Sequence, residues 1–157
     1  MPQAPLGPPR VLGVAAGEPY DGRMQREAGD IIPLLACSDI VSEHDFLVTV
    51  LGFESGGIES TPDGTVVHAE VRAGSRRVWL HREDEAGGLV PPGRAGTAGG
   101  GIVVHVGDVD GHHDRARAAG AEVLYAPRDE DYGQREYGVR DPEGHLWWIA
   151  TPTTAAE

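Results

Sequence analysis

Apolar and polar positions follow the same plan twice along this chain. Ile31-Ile32-Pro33-Leu34-Leu35-Ala36-Cys37 is a short apolar run, as a buried strand shows. Ser38 or Asp39 then offers a helix N-cap. Ile40, Phe46, Leu47, Val50 and Leu51 recur at helical spacing, and Gly52 supplies a C-terminal cap. A strand from Phe53 to about Ser60 follows, then a turn at Pro62-Asp63-Gly64. Thr65 to Arg72 alternates partly with period two, as a half-exposed strand does. Ala73-Gly74-Ser75 turns the chain into a strand from Arg76 to Arg82. Residues 83–100, rich in Gly and Pro, read as a long loop that is either mobile or functional.

The second half restarts the series. Ile102 to Val106 is a strand, Asp108 to Ala119 a helix ending at Gly120, and Ala121 to Tyr125 a strand followed by a polar loop. Asp39 and Asp108 occupy equivalent places, 69 residues apart, and internal repeats of this kind fix an architecture early. The chain then closes on strand, tight turn, strand, with Asp141-Pro142-Glu143-Gly144 supplying turn chemistry and an apolar, aromatic run after it.

Composition narrows the class. A length of 157 residues fits one domain with a substantial core. Cys37 is the single cysteine, which excludes an intrachain disulfide and a four-cysteine zinc site; in its apolar run it reads as a small core residue. No apolar run is long enough to span a membrane, and no export signal is evident; the expected location is the cytoplasm. The net charge is −12, and all 13 basic residues are arginine. Phosphate binding needs clustered positive charge, so nucleic acid is not an expected partner. An acidic surface serves solubility and also suits a cationic small ligand. Residues 1–29, opened by Pro2, Pro5, Pro8 and Pro9, read as a mobile extension. Within it, Met24 is an alternative start, and an arm that packs on a partner subunit is the rival reading.

The segment Tyr132-Gly133-Gln134-Arg135-Glu136-Tyr137-Gly138-Val139-Arg140-Asp141-Pro142-Glu143-Gly144-His145-Leu146-Trp147-Trp148 resembles the closing hairpin of the vicinal oxygen chelate superfamily. That superfamily includes glyoxalase I, the extradiol dioxygenases and the bleomycin-resistance proteins. Leu51-Gly52-Phe53-Glu54 carries the same resemblance, which covers about residues 31–152. It implies an α+β fold: two tandem βαβββ modules, about 31–82 and 101–152, curled into one cupped mixed sheet with helices outside. The glyoxalase-like domain would then run from 30 to 153.

Enzymes of the superfamily hold a divalent metal on four strands of the cup. Aligned on the Asp after the first strand, on Asp108 and on the closing turn, the first ligand position falls on Ile32, the third on Ile102 and the fourth on Trp148. The second falls within Trp79, Leu80 or His81. Isoleucine and tryptophan do not coordinate divalent metals, so no metal ligands and no cofactor are expected. Other histidines build no alternative. His112 and His113 are adjacent and read as solvated helix residues, and His44 reads as exposed. His105 is expected to face the helix layer and His145 to serve structure. Gly99-Gly100-Gly101 precedes a strand, not a helix, and does not form a phosphate loop; no serine nucleophile elbow is present.

An apolar, aromatic-lined cup suits flat, partly apolar small molecules. Ile32, Trp79, Ile102, Val104 and Trp148 are the candidate lining, with Trp79 and Trp148 able to stack on rings or cations. Tyr132, Arg135 and Tyr137 are candidate rim residues, beside Gln134. Trp147 and Trp148 point to opposite faces, and both tryptophans filling the cup themselves is the plainer alternative. The reading taken forward is a metal-independent small-molecule-binding protein of the glyoxalase/bleomycin-resistance type, its ligand cationic or aromatic. The resemblance implies a homodimer with clefts at the subunit interface. The alternative is a lyase- or isomerase-type enzyme with His81 or Glu70 as acid–base group. A third reading is an interaction protein whose cup is closed by its own side chains.

Overall fold

A computed structural model describes residues 29–153, so the expectations for residues 1–28, Met24 among them, lie outside the described residues. Two units are distinguished, Met1–Ile31 and Ile32–Glu157, and every element below belongs to the second. In chain order these are β1 (Leu34–Cys37), α1 (Ile40–Thr49), β2 (Glu54–Ser60), β3 (Val66–Ala73), β4 (Arg76–Arg82), α2 (Pro92–Ala95), β5 (Gly101–His105), α3 (Val109–Ala118), β6 (Glu122–Glu130), β7 (Gln134–Arg140) and β8 (Leu146–Pro152). The fold is α+β and glyoxalase-like, with helices largely outside the sheets.

Both main helices start as their sequences dictate. Asp39 accepts the Ser42 N–H at 3.0 Å and Asp108 accepts the Gly111 N–H at 2.9 Å, each satisfying a donor that the first helical turn leaves unpaired. The C-cap of α1 is Val50 and not Gly52, which follows two residues later at φ +78°, a conformation that a β-carbon disfavours. Two further expectations change. β6 runs on to Glu130, taking in residues read as a loop. Its pairing with β7 is irregular between Val123 and Arg128, so the alternation that marks a strand in sequence is lost there. The 83–100 connection is built rather than loose: it contains α2, and Gly93 N–H donates to the Glu143 carbonyl at 2.7 Å.

The sheet is divided into two four-stranded halves, ordered β1-β4-β3-β2 and β5-β8-β7-β6. β1 and β5 are each an edge. Within each half, parity sorts side chains to a helix face and an open face. Cys37, Ala69, Val71, Val78 and Leu80 lie towards α1; Tyr137, Val139, Trp147 and Ile149 lie towards α3. The two helix faces share one core. Phe53 meets Trp147 edge-on with ring centroids 5.5 Å apart, tying the first module to the second.

The closing turn is the second tie. The buried Asp141 carboxylate accepts from the Glu143 N–H, the His145 N–H, the His145 ring and the Trp147 indole, the last at 2.7 Å. Glu143 in turn accepts the Asp39 N–H at 2.7 Å, so the hairpin turn of one module holds the N-cap of the other. Truncation of Phe53 to Ala removes a buried ring between the modules. The expected loss is about 3–5 kcal/mol, read as a lower denaturation midpoint with the slope unchanged.

Candidate functional site

The open faces carry the chemistry. In the first module, the register Glu70↔Trp79 and His68↔His81 puts these four side chains on one surface. Trp79 Nε1–H donates to Glu70 Oε2 at 2.9 Å, and Arg72 Nε–H donates to Glu70 Oε1 at 2.5 Å. These two donors hold the Glu70 carboxyl below the usual carboxylate range, the indole contributing most. The His68 ring meets Trp79 edge-on at 5.4 Å and His81 at 6.3 Å.

In the second module, Trp148 pairs with Val103 on β5 and Gly138 on β7, which sends it to the open face; Trp147 is fully buried on the other side. The Trp148 ring lies over Gly101, where an added β-carbon would come within 2.3 Å of it. Tyr125 O–H donates to the buried Glu136 at 2.6 Å, and the Arg128 guanidinium sits 4.1 Å above the Tyr125 ring. Burial, and then the hydrogen bond to Glu136, raise the Tyr125 phenol above its ordinary value.

Parity corrects part of the expected lining. Ile102 pairs with Trp147 and Val104 with Ile149, so both belong to the core face and not to the cup. The face shared with Trp148 belongs instead to Val103 and His105. His105 was expected under the helices, yet it faces the open side and accepts from Gln134 at 3.1 Å. A slip of one residue in register reverses every side chain of a strand, and β5 was anchored only through Asp108. Tyr137 is a core residue, fully buried, and Arg135 reaches away from the open face to pair with Asp110 and Asp129. Tyr132 is exposed between β6 and β7, and Ile32, half-buried, precedes β1. Of the expected residues, the structure keeps Trp79, His81, Glu70 and Trp148 on open faces. Glu136 and Tyr125 were missed, although counting back from Trp148 through the turn to Gly138 gives Glu136 the same parity.

The helix histidines are corrected too. His44 is buried, not exposed, and bonds Ser55 Oγ at 2.8 Å. His113 is buried against the Tyr137 ring, centroids 5.1 Å apart. His112 joins the modules: Nε2–H donates to the Leu51 carbonyl at 2.9 Å and Nδ1 accepts from Tyr137 O–H at 2.9 Å. A cleft of about 460 Å³ opens beside it, lined by Phe53, Val104, His112 and Arg115 among others. Neither Trp79 nor Trp148 borders this cleft.

Glu43, Asp141 and His145, all buried, bring a carboxylate oxygen each and an imidazole nitrogen within 4.8 Å of one another. Neither Glu43 oxygen has a hydrogen-bond partner, although the residue is fully buried. A buried polar group left so costs about 1–3 kcal/mol, and more when charged. Burial, reinforced by the Asp141 charge, pushes the Glu43 carboxyl up to about 10.

Residues 33–149 match the model of the Glyoxalase/Bleomycin resistance protein/Dioxygenase superfamily. The uncharacterized protein MT0910 of Mycobacterium tuberculosis is 32% identical over 149 residues, covering 85% of this chain and 86% of that protein. TioX from Micromonospora sp. ML1 superposes with a TM-score of 0.62 at 35% identity, over 80% of this chain and 99% of its own. TnmS3, an antibiotic binding protein from Streptomyces sp. CB03234, superposes with a TM-score of 0.61 over 81% of this chain and 98% of its own. At 20% identity that likeness shows the fold alone. No helix among the described residues is long and apolar enough to cross a membrane.

Burial lowers the His112 pKa below its ordinary 6.5, and Arg115 adds to the effect. The folded chain therefore binds this proton less readily than the unfolded chain. The resulting stabilisation is complete above about pH 6.5 and is lost as pH falls through the folded value. Thermal melts from pH 7 down to 5 are expected to fall, and to fall less steeply in His112→Gln, which has no imidazole to charge.

Proposed function

The chain belongs to the Glyoxalase/Bleomycin resistance protein/Dioxygenase superfamily, and from that premise we propose that it binds a planar, cationic small molecule stoichiometrically, without a metal in the cup. Antibiotic sequestration in the cytoplasm is the physiological form of this reading. One observation carries it: each open face presents a half-buried tryptophan together with a carboxylate, Trp79 with Glu70 and Trp148 with Glu136. A flat cation between two such walls gains ring stacking, cation–π attraction and a nearby counter-charge. The antibiotic-binding TnmS3 shares the fold.

The reading includes a homodimer. Edge strands β1 and β5 do not pair with each other within the chain. Leu34 on β1 and Val103 on β5 are 42% and 54% exposed. A second copy that sets the first module of one protomer against the second module of the other covers both edges and closes two equivalent clefts.

An enzyme is the second reading, favoured by the presence of Glu70 and His81 on the same open face. Glu70 is a weak base there, because Trp79 and Arg72 stabilise its ionised form. Its charge suits a counter-ion better than proton abstraction.

Titration with a cationic aromatic antibiotic, followed by tryptophan fluorescence and calorimetry, is expected to saturate at one molecule per protomer. Mass spectrometry should return the ligand unaltered, whereas its conversion would establish the enzyme reading. Trp148→Ala is expected to weaken binding about thirtyfold, as for the loss of one desolvated cation–π contact of about 2 kcal/mol.

Mixing Trp79→Ala and Trp148→Ala chains tests where the cleft lies. A cleft spanning two protomers gives a mixed dimer with one intact site and one doubly altered site. Full-affinity binding then returns at half the sites of that dimer. Clefts within one chain leave every site altered and restore nothing.

A further inference from the structure

We propose that Glu43, Asp141 and His145 form a closed site for a divalent transition-metal ion that staples helix α1 of the first module to the closing turn of the second. The site lies on the helix side, in the shared core, and stands independently of the ligand reading for the open faces.

Position comes first. Glu43 occupies the apolar stripe of α1 that Ile40 and Leu47 define, so the fold drives its carboxyl into the interior. The turn that meets it is held rigid by Asp141 and is covered by the 83–100 connection through the Gly93 to Glu143 hydrogen bond of 2.7 Å. Donor atoms of the three side chains converge within 4.8 Å, and all three are buried. As an ionised carboxylate, Glu43 offers two oxygens that are shielded from water and receive no donor, a setting that a cation satisfies.

The surrounding charge supports a cation. Glu143, whose carboxylate accepts the Asp39 N–H at 2.7 Å, adds a third acid at the rim of the cluster. Arg72, Arg94, Arg128, Arg135 and Arg140 pair with other carboxylates. The Cys37 thiol is buried near the acids and donates to the Leu35 carbonyl; its pKa is raised chiefly by burial, so it offers no thiolate to the site.

A proton on Glu43 is the competing way to neutralise it, with the adjacent Asp141 carboxylate as the acceptor of the new O–H. A metal ion instead engages the free Glu43 oxygens directly. His145 is prepared for the same role. Its Nδ1 lies 3.0 Å from Asp141 Oδ2, the separation of two neighbouring ligands around one ion. In the tautomer that carries its proton on Nε2, the Nδ1 lone pair and the two carboxylates face one point. Two carboxylates and one imidazole suit Zn²⁺, Mn²⁺ or Co²⁺, and a closed, dry setting marks a structural ion.

The test uses the full chain purified without chelator, then stripped and reloaded with Zn²⁺, Mn²⁺ or Co²⁺. One equivalent of metal, a rise in melting temperature on reloading and its abolition in Glu43→Gln are expected. His68→Ala, which alters only the open face, should retain the full equivalent. X-ray absorption on the native protein supplies a check without any variant: one imidazole among oxygen ligands, and no sulfur, is expected. Absence of uptake, a two-imidazole shell pointing to His68 and His81, or a Glu43→Gln chain that binds metal as the native one does would each overturn the proposal.

Discussion

The Asp141 carboxylate is the constraint on which the second module and its junction depend. It lies at a tight turn, is 2% exposed, and gathers backbone and side-chain donors from the next six residues. Ionised oxygens stripped of water are tolerated only when fully hydrogen-bonded, so the turn has little freedom to adopt another shape. Fixing the turn fixes the register of β7 against β8. That register sends Trp147 inward, where it meets Phe53 of the other module, and Trp148 outward.

Electrostatics then divide the molecule into two acidic regions with opposite properties. On the open faces the acids are served by donors: Glu70 by Trp79 and Arg72, Glu136 by Tyr125. Glu70, held in its ionised form by these donors, keeps its charge near the surface and can meet a cation from solution. Behind the sheets, Glu43 is deprived of both water and donors. The same residue type is therefore a recognition element on one side and a source of internal stress on the other. Depth and local partners decide which, and net charge says nothing about it.

Much of the fold was legible because its signals are local. N-caps at Asp39 and Asp108, glycines at the helix ends and the Asp-Pro-Glu-Gly turn announce themselves within a few residues. The family resemblance supplied the βαβββ repeat, and residues 33–149 bear it out. The candidate site was legible only where a strand was anchored to single-residue accuracy. Trp148, counted from the turn, faces the open side as its count predicts; Ile102, Val104 and His105, counted back from a helix cap through Val106 and Gly107, do not face as counted. His112 reads as a solvated helix residue in sequence because its partners, Leu51 and Tyr137, are distant along the chain and no local pattern joins them. Glu43 did leave a trace: a lone acid on an apolar helical stripe contradicts its surroundings, and such contradictions mark sites worth attention.

The bare edges of the two half-sheets impose a further demand. An unpaired strand presents a row of backbone donors and acceptors to any extended segment nearby, and a long flat one nucleates aggregation. Here β1 is only four residues long and follows Pro33, which has no N–H to offer. β5 opens on the run Gly99-Gly100-Gly101, whose backbone freedom makes an extended template entropically expensive to hold. The glycine run that forms no phosphate loop thus limits the length of extended edge that β5 presents. It allows an edge to stay available to a specific neighbour while discouraging indiscriminate strand addition.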